Sequence, residues 1–358
     1  MHMLSSKIRV PGARAAVTLA VGLAVSSPLW AQGGTGRVSP TTAAKSPAAA
    51  VRWRIVSSEA AQAWFALLAD LRLAGVGAFA FTSGGAAPGA AERELSRALA
   101  GSREWEILHF LPLYYPSADR LALGDALRVA ASDEAPVPRA TLLVGALRQV
   151  LSPTSRRAYL PTLADALGAV RPTPPGAART AAWQAMLDSS YLPALAPWLV
   201  AERLDEGRLI VAPALGAEGR LFAGTADRKD NLAAVGSFAS DSVTDAPLLA
   251  FTRESCFPAV SRAAREAGLR VGDPTAARRA SLAAVRCGAA LLDRRLPERA
   301  GAYRRFWLAR LAEADNAVSI PAESDSGALR DAFARAFPPD PALSGALERA
   351  IGRLPPTP

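Results

Sequence analysis

Hydrophobic residues recur at spacings of three and four over most of this chain, which is the pattern of amphipathic helices. In the clearest example, which follows Ser57-Ser58-Glu59, one helical face carries Ala63, Trp64, Leu67, Leu68 and Leu71. The same periodicity predicts helices near residues 91–100, 118–130, 138–151, 156–170, 177–188, 193–205, 246–268, 274–294, 297–313, 324–336 and 341–353. The folded part is therefore predicted to be mostly helical.

Strand signals are few and short. VRWRIV at residues 51–56 alternates between apolar and polar positions. Three later runs, RLIVAPAL, GRLFAGTA and NLAAVGSF, are separated by Gly216–Gly219 and Asp227–Asp230, which we interpret as hairpin turns. The sequence therefore predicts an α+β fold, predominantly α-helical with one small antiparallel sheet, rather than alternating βαβ units.

The N-terminus has the three parts of a secretory signal peptide. Basic residues are followed by an apolar run from Ala15 to Val25 and then by small, turn-forming residues. We predict residues 1–31 to be the signal peptide, with cleavage after Ala31 and a periplasmic or extracellular location. The alternative is that the leader stays uncleaved as a membrane anchor.

The remainder divides into a linker and one globular region. Residues 32–50 are Gly, Ser, Thr, Pro and Ala with almost no large apolar side chain, which predicts disorder. Residues 51–358 are predicted to form a single α-rich globular region. The Pro-rich loop at 171–176 is the candidate internal boundary.

Charge and hydropathy argue against a nucleic-acid partner and against a membrane-spanning segment in the mature chain. Losing the leader removes Lys7, Arg9 and Arg14, which lowers the formal net charge from +9 to +6. That surplus lacks the clustered basic face of a nucleic-acid-binding protein, so no nucleic acid partner is expected. No later stretch holds 18 consecutive apolar residues, so no transmembrane segment is predicted in the mature chain.

Cysteine and histidine limit the available chemistry. Cys256 and Cys287 both lie in the exported part, where the compartment permits a disulfide between them. The alternative is two independent buried thiols. His2 leaves with the signal, so His109 is the mature chain's one histidine, and its apolar neighbours predict a core or half-buried position. Any mechanism that needs two imidazoles is therefore excluded.

Motifs for nucleotides and for acyl transfer are absent. No G-x-G-x-x-G opens a helix after a strand, no G-x-x-x-x-G-K-[ST] occurs, and no G-x-S-x-G nucleophile turn is present. The sequence does not exclude a site built on a pair of catalytic carboxylates, because two such acids need not be close in sequence. No cofactor is predicted.

One arrangement of elements does resemble a known family. A small sheet followed by the helix LLAFTRESCFPAV, a second long helix and Leu296-Pro297-Glu298 resembles the core of gluzincin-type zinc metallopeptidases. That family carries H-E-x-x-H on the helix after the sheet and a third, glutamate ligand on a later helix. The corresponding residues here are Arg253-Glu254-Ser255-Cys256-Phe257, with Glu298 as the later ligand.

The resemblance implies a metal-free, inactive relative, because neither histidine of the motif is present. Arg253 and Phe257 offer no lone pair to zinc, whereas Glu254 and Glu298 match acidic positions. We therefore assign no catalytic residue, with Arg253, Glu254, Phe257 and Glu298 as vestigial positions, and no metal site. Arg253 is expected to pair with Glu254 or Glu298. The alternative is an ordinary amphipathic helix with Arg253 and Glu254 exposed.

The leading functional hypothesis is an exported, non-catalytic protein that binds a protein, a peptide or a component of the cell envelope. One alternative is a hydrolase with a carboxylate-based or unrecognised site. A second alternative is a periplasmic solute-binding protein, which would have two α/β lobes around a cleft.

Overall fold

The computed structural model describes residues 51–73, 79, 89–100, 103–115, 117–223, 230–237, 244–270, 273–314, 318–322 and 325–355. The predicted signal peptide and linker lie outside these residues. Most of the predicted turn at Asp227–Asp230 also lies outside them.

The predicted predominance of helix is confirmed. The α-helices are α1 (Glu59–Asp70), α2 (Ala90–Ala100), α3 (Arg120–Ala131), α4 (Thr141–Val150), α5 (Pro153–Ala169), α6 (Ala177–Met186), α7 (Leu192–Ala201), α8 (Ala246–Ser255), α9 (Phe257–Glu266), α10 (Pro274–Arg295), α11 (Pro297–Ala314), α12 (Ser326–Ala336) and α13 (Ser344–Gly352). A 3₁₀ segment spans Arg103–Leu113, and a π turn at Leu187–Tyr191 joins α6 to α7. The serine-rich start of α1 acts as predicted, since the Ser58 hydroxyl accepts a hydrogen bond from the Ala61 N–H.

The single helix predicted over 246–268 is in fact two, because the chain breaks at Cys256 between α8 and α9. Pro258 explains the break. It has no N–H to donate to the carbonyl of Glu254, four residues earlier, and its ring would crowd that carbonyl. The Arg253–Phe257 segment therefore spans a junction between helices.

The sheet is mixed, so the prediction of an antiparallel sheet is wrong. Its strands are β1 (Arg52–Val56), β2 (Glu206–Val211), β3 (Gly219–Phe222) and β4 (Asn231–Val235), in the order β1-β2-β4-β3. β1 with β2 and β2 with β4 are parallel pairs, and only β3 with β4 is antiparallel.

The predicted hairpin turn at Gly216–Gly219 does not form, because β4 lies between β2 and β3. The physical reason is burial on both faces. Every residue of β4 is buried, as are the last three of β2, which is typical of strands covered by helices on each side and favours parallel pairing.

The sheet lies between two layers of helices. Successive residues of β2 point to opposite faces, so Leu209 and Val211 enter one core while Ile210 enters the other. Helices α1 to α5 build the core around Ile210, and α6 to α13 build the core around Leu209. The chain passes from one layer to the other at the loop 171–176, and both layers pack on the same sheet. Among the described residues, no helix combines the length and the apolar character needed to cross a bilayer.

Candidate functional site

The residues singled out by the sequence lie at two ends of α8. Arg253 and Glu254 are near its C-terminus, where α8 packs against β3, β4 and α10. Phe257 begins α9, and Glu298 is the second residue of α11. The structure therefore brings Arg253, Glu254 and Phe257 together.

Arg253 and Glu254 form a buried ion pair. The Nη1 atom of Arg253 lies 2.5 Å from Oε1 of Glu254, and each side chain is only 1% exposed. This confirms the predicted pairing with Glu254 and contradicts the alternative of an ordinary helix with both residues exposed. The second amino group of Arg253 donates to the Ser281 hydroxyl on α10.

Aromatic rings enclose the Arg253 guanidinium. Its central carbon lies 5.5, 5.0 and 5.3 Å from the ring centroids of Phe79, Phe257 and Trp307 respectively. Such rings attract a cation through their negative faces. Phe257, which occupies the second histidine position of the resemblance, therefore helps to hold the charge at the first.

A second buried ion pair comes from the start of β3. Arg220 Nη1 lies 2.6 Å from Glu218 Oε2, with exposures of 2% and 1%. Glu218 also accepts a hydrogen bond of 2.8 Å from the Phe79 N–H. Glu254 lies directly over β3, because a Cβ atom added to Gly219 would be 2.3 Å from its Oε1. We call Glu218, Arg220, Arg253 and Glu254 the charge cluster.

Sequence reasoning missed Glu218 and Arg220. Glu218 immediately precedes β3 and Arg220 lies within it, and this spacing of two residues beside apolar neighbours was an available signal, since alternate residues of an extended segment share one face. The sequence did not show which element lies opposite these two residues, and in the structure that element is α8.

Burial changes the acid–base behaviour of the charge cluster and its surroundings. Removal from water raises the pKa of Glu254 to about 7, while Arg253 and then Arg220 oppose that rise. His109 lies on the 3₁₀ segment, where burial and the positive charge of Arg220 lower its pKa to about 3. His109 is thus a buried neutral imidazole, which confirms its predicted core position.

These two shifts predict opposite pH dependences of stability. The folded pKa of Glu254 lies above its ordinary 4.5, so its stabilising contribution is complete below about pH 4.5 and is lost as pH rises through 7. The folded pKa of His109 lies below its ordinary 6.5, so its contribution is complete above that pH and is lost as pH falls towards 3.

Urea unfolding of the parent, Glu254→Gln and His109→Gln at several pH values between 4.5 and 7.5 would measure this. The free energy of unfolding of the parent, relative to Glu254→Gln, should fall with rising pH. Relative to His109→Gln it should rise. A parent-to-variant difference that stays constant over this range would contradict the corresponding pKa shift.

The predicted disulfide is wrong for this structure, in which Cys256 and Cys287 are both buried free thiols. The two thiols contact each other, so they are neighbours rather than independent. Burial, together with the contact with Cys287, raises the pKa of Cys256 well above its ordinary value. Disulfide formation begins from a thiolate, and this environment favours the neutral thiol instead.

Glu298 is exposed and lies towards the other end of α8. The next residue, Arg299, is 3.5 Å from Asp245, which immediately precedes α8. Glu254 is nine residues further along, or about 13 Å at the rise of an α-helix. The structure therefore does not place Glu298 beside Glu254 as a shared ligand pair.

No group of three His, Cys, Asp or Glu side chains in the described part of the chain is arranged to hold a metal ion. Of the vestigial positions, only Glu254 and Glu298 carry ligand atoms, and they are at opposite ends of α8. All four side chains of the charge cluster are buried, so none of them presents an acid or a base to solvent.

A surface groove lies on the opposite edge of the sheet, beside β1. It encloses about 470 Å³ and is open to solvent. One wall is β1 with Ser57, and the other is formed by the loop before α6 and one face of that helix. The lining residues are Ile55, Ser57, Pro174, Pro175, Ala177, Thr180, Ala181 and Gln184. Its volume is within the range of small-ligand sites.

Comparison with known proteins gives no relative for this chain: no protein-family model, curated protein or solved structure matches it.

Proposed function

We propose that this chain is an exported, non-catalytic protein that acts by binding a protein, a peptide or an envelope component. The observation that carries the proposal is the state of Glu254. The acid that matches the catalytic position of the resemblance is 1% exposed and ion-paired with Arg253. A general acid or base must reach its substrate directly or through a water molecule, and this carboxyl has no such access.

The proposal uses the metallopeptidase resemblance only as a likeness to a metal-free, inactive relative. Arg253 supplies the positive charge beside Glu254, in the place where the family has a zinc ligand. The pair therefore supports a scaffold whose centre is held by an ion pair, since charge-assisted hydrogen bonds are among the stronger ones in proteins.

The hydrolase alternative has one observation in its favour. Glu218 lies close enough to Glu254 for its negative charge to add to the rise in the pKa of Glu254, which burial brings to about 7. Both acids are buried, however, and each is paired with an arginine. The solute-binding alternative gains no support from the single sheet with a helical layer on each face.

The test compares the purified mature protein with its Glu254→Gln variant, which keeps the size of the side chain and removes its charge. We expect neither protein to hydrolyse fluorescent casein or p-nitrophenyl acetate above the buffer rate. We also expect less than about 0.1 zinc per chain by elemental analysis of protein prepared without chelator. Turnover by the parent that Glu254→Gln abolishes, or one zinc per chain, would contradict the proposal.

A further inference from the structure

The outer edge of β1 is partly covered by one side chain. In a parallel pair, alternate residues direct their main-chain groups to the neighbouring strand, and Arg52 uses its N–H in this way towards Asp205. Trp53, Ile55 and Ser57 therefore direct theirs outward. Gln184 of α6 takes two of these groups: its Oε1 accepts from the Ile55 N–H at 2.7 Å, and its Nε2 donates to the Trp53 carbonyl at 3.2 Å.

Two outward groups remain at the end of β1, the Ile55 carbonyl and the Ser57 N–H. In the described part of the chain, no hydrogen bond is found to either of them, and both residues line the groove. An acceptor and a donor two residues apart are what an added strand uses to pair one of its residues. Pro174 and Pro175 on the facing wall have no N–H to donate to the Ile55 carbonyl.

The groove also offers positive charge. The N-terminus of α6 opens into it at Ala177, and its N-cap residue is Gly176, which has no side chain to satisfy the first N–H groups. The first turn of α6 contains no acidic residue either. The dipole of this helix therefore favours a negative group at that end of the groove.

We propose that this groove binds the C-terminal end of an extended peptide. One peptide residue pairs with the Ile55 carbonyl and the Ser57 N–H, and the terminal carboxylate lies at the N-terminus of α6. The inference rests on the proposed binding function and names its ligand class.

The peptide probe is a fluorescein-labelled hexapeptide of alternating serine and valine with a free C-terminal carboxylate. Its binding to the mature protein would be followed by fluorescence polarisation. Three matched peptides test how the probe binds. One carries a C-terminal amide, and the other two are N-methylated at every second residue, one at the odd and one at the even positions. We expect the amide to bind about tenfold more weakly. We expect one N-methylated register to lose binding about tenfold and the other to keep it, since only one edge of the peptide faces β1.

Protein variants test the location. Ser57→Pro removes the outward N–H without touching the bonds between β1 and β2, and should weaken binding about tenfold, whereas Ser57→Ala keeps that N–H and should bind like the parent. Ala181→Trp fills the groove and should abolish binding. Trp at Ala178, which is exposed on the same helix but does not line the groove, should not.

Saturable binding of the acid peptide that is lost in Ser57→Pro and Ala181→Trp would support the proposal. No binding of the peptide, equal binding of both N-methylated registers, or equal binding by Ala181→Trp and Ala178→Trp would overturn it. These results leave the non-catalytic function intact, because that function fails only if the casein, ester or zinc measurements fail.

Discussion

Replacing Arg253 with methionine is expected to lower the free energy of unfolding by about 3–5 kcal/mol, because it leaves the Glu254 carboxyl buried without its partner. Methionine fills much of the same volume, so the loss reflects charge more than packing. It also removes the cation that Phe79, Phe257 and Trp307 surround. Urea unfolding monitored by tryptophan fluorescence would measure the change. The loss should be larger at pH 8 than at pH 5, where the carboxyl can take up a proton.

The matched control is Arg128→Met on α3. Arg128 pairs with Asp125 and Asp165, but all three side chains are at least half exposed. Exposed pairs contribute little, so this variant should remain within about 1 kcal/mol of the parent. An Arg253→Met variant that is no less stable than Arg128→Met would show that the charge cluster does not stabilise the fold.

Removing both charges separates two costs: that of burying an unpaired carboxylate and that of losing the packing around Arg253. The double variant Arg253→Met with Glu254→Gln should recover most of the stability that Arg253→Met loses, because no buried charge of that pair remains unpaired. Recovery of less than about a quarter of the loss would mean that the aromatic contacts, rather than the ion pair, dominate.

Local sequence signals predicted the elements better than their partners. The capped start of α1 and the alternation of β1 are both properties of adjacent residues, and the structure confirms both. The partner of β1 is different: Arg52 contacts Glu206, which is 154 residues away. Nothing in the pattern of either segment specifies that pairing, so the nearest turns suggested hairpins instead.

The difference between local signals and distant pairings also explains how much of the candidate site could be predicted. Arginine is rarely buried without a partner, so an exposed Arg253 was the ordinary expectation for an amphipathic helix. The resemblance predicted the pairing with Glu254 because it drew attention to that position. It did not predict Glu218 and Arg220, since these reach α8 only through the order of strands in the sheet.

Gly236→Ala is expected to destabilise the protein by about 3 kcal/mol or more, because the added methyl group would meet main chain rather than a movable side chain. Gly236 immediately follows β4. A Cβ atom there would lie 1.8 Å from the carbonyl oxygen of Gly216, far inside van der Waals contact. Gly216 itself has φ of 58°, a backbone conformation that leaves this loop few ways to move aside.

This close approach holds the loop after β2 against the end of β4, so the substitution should disturb the carboxyl ends of the two central strands. The control is Gly145→Ala in α4, where nothing lies within 4 Å of the added methyl group. Alanine is the better helix former there, so that variant should gain about 0.5–1 kcal/mol. Urea unfolding of both variants gives the comparison. If Gly236→Ala were as stable as the parent while Gly145→Ala gained stability, the contact between Gly216 and Gly236 would not be part of the fold in solution.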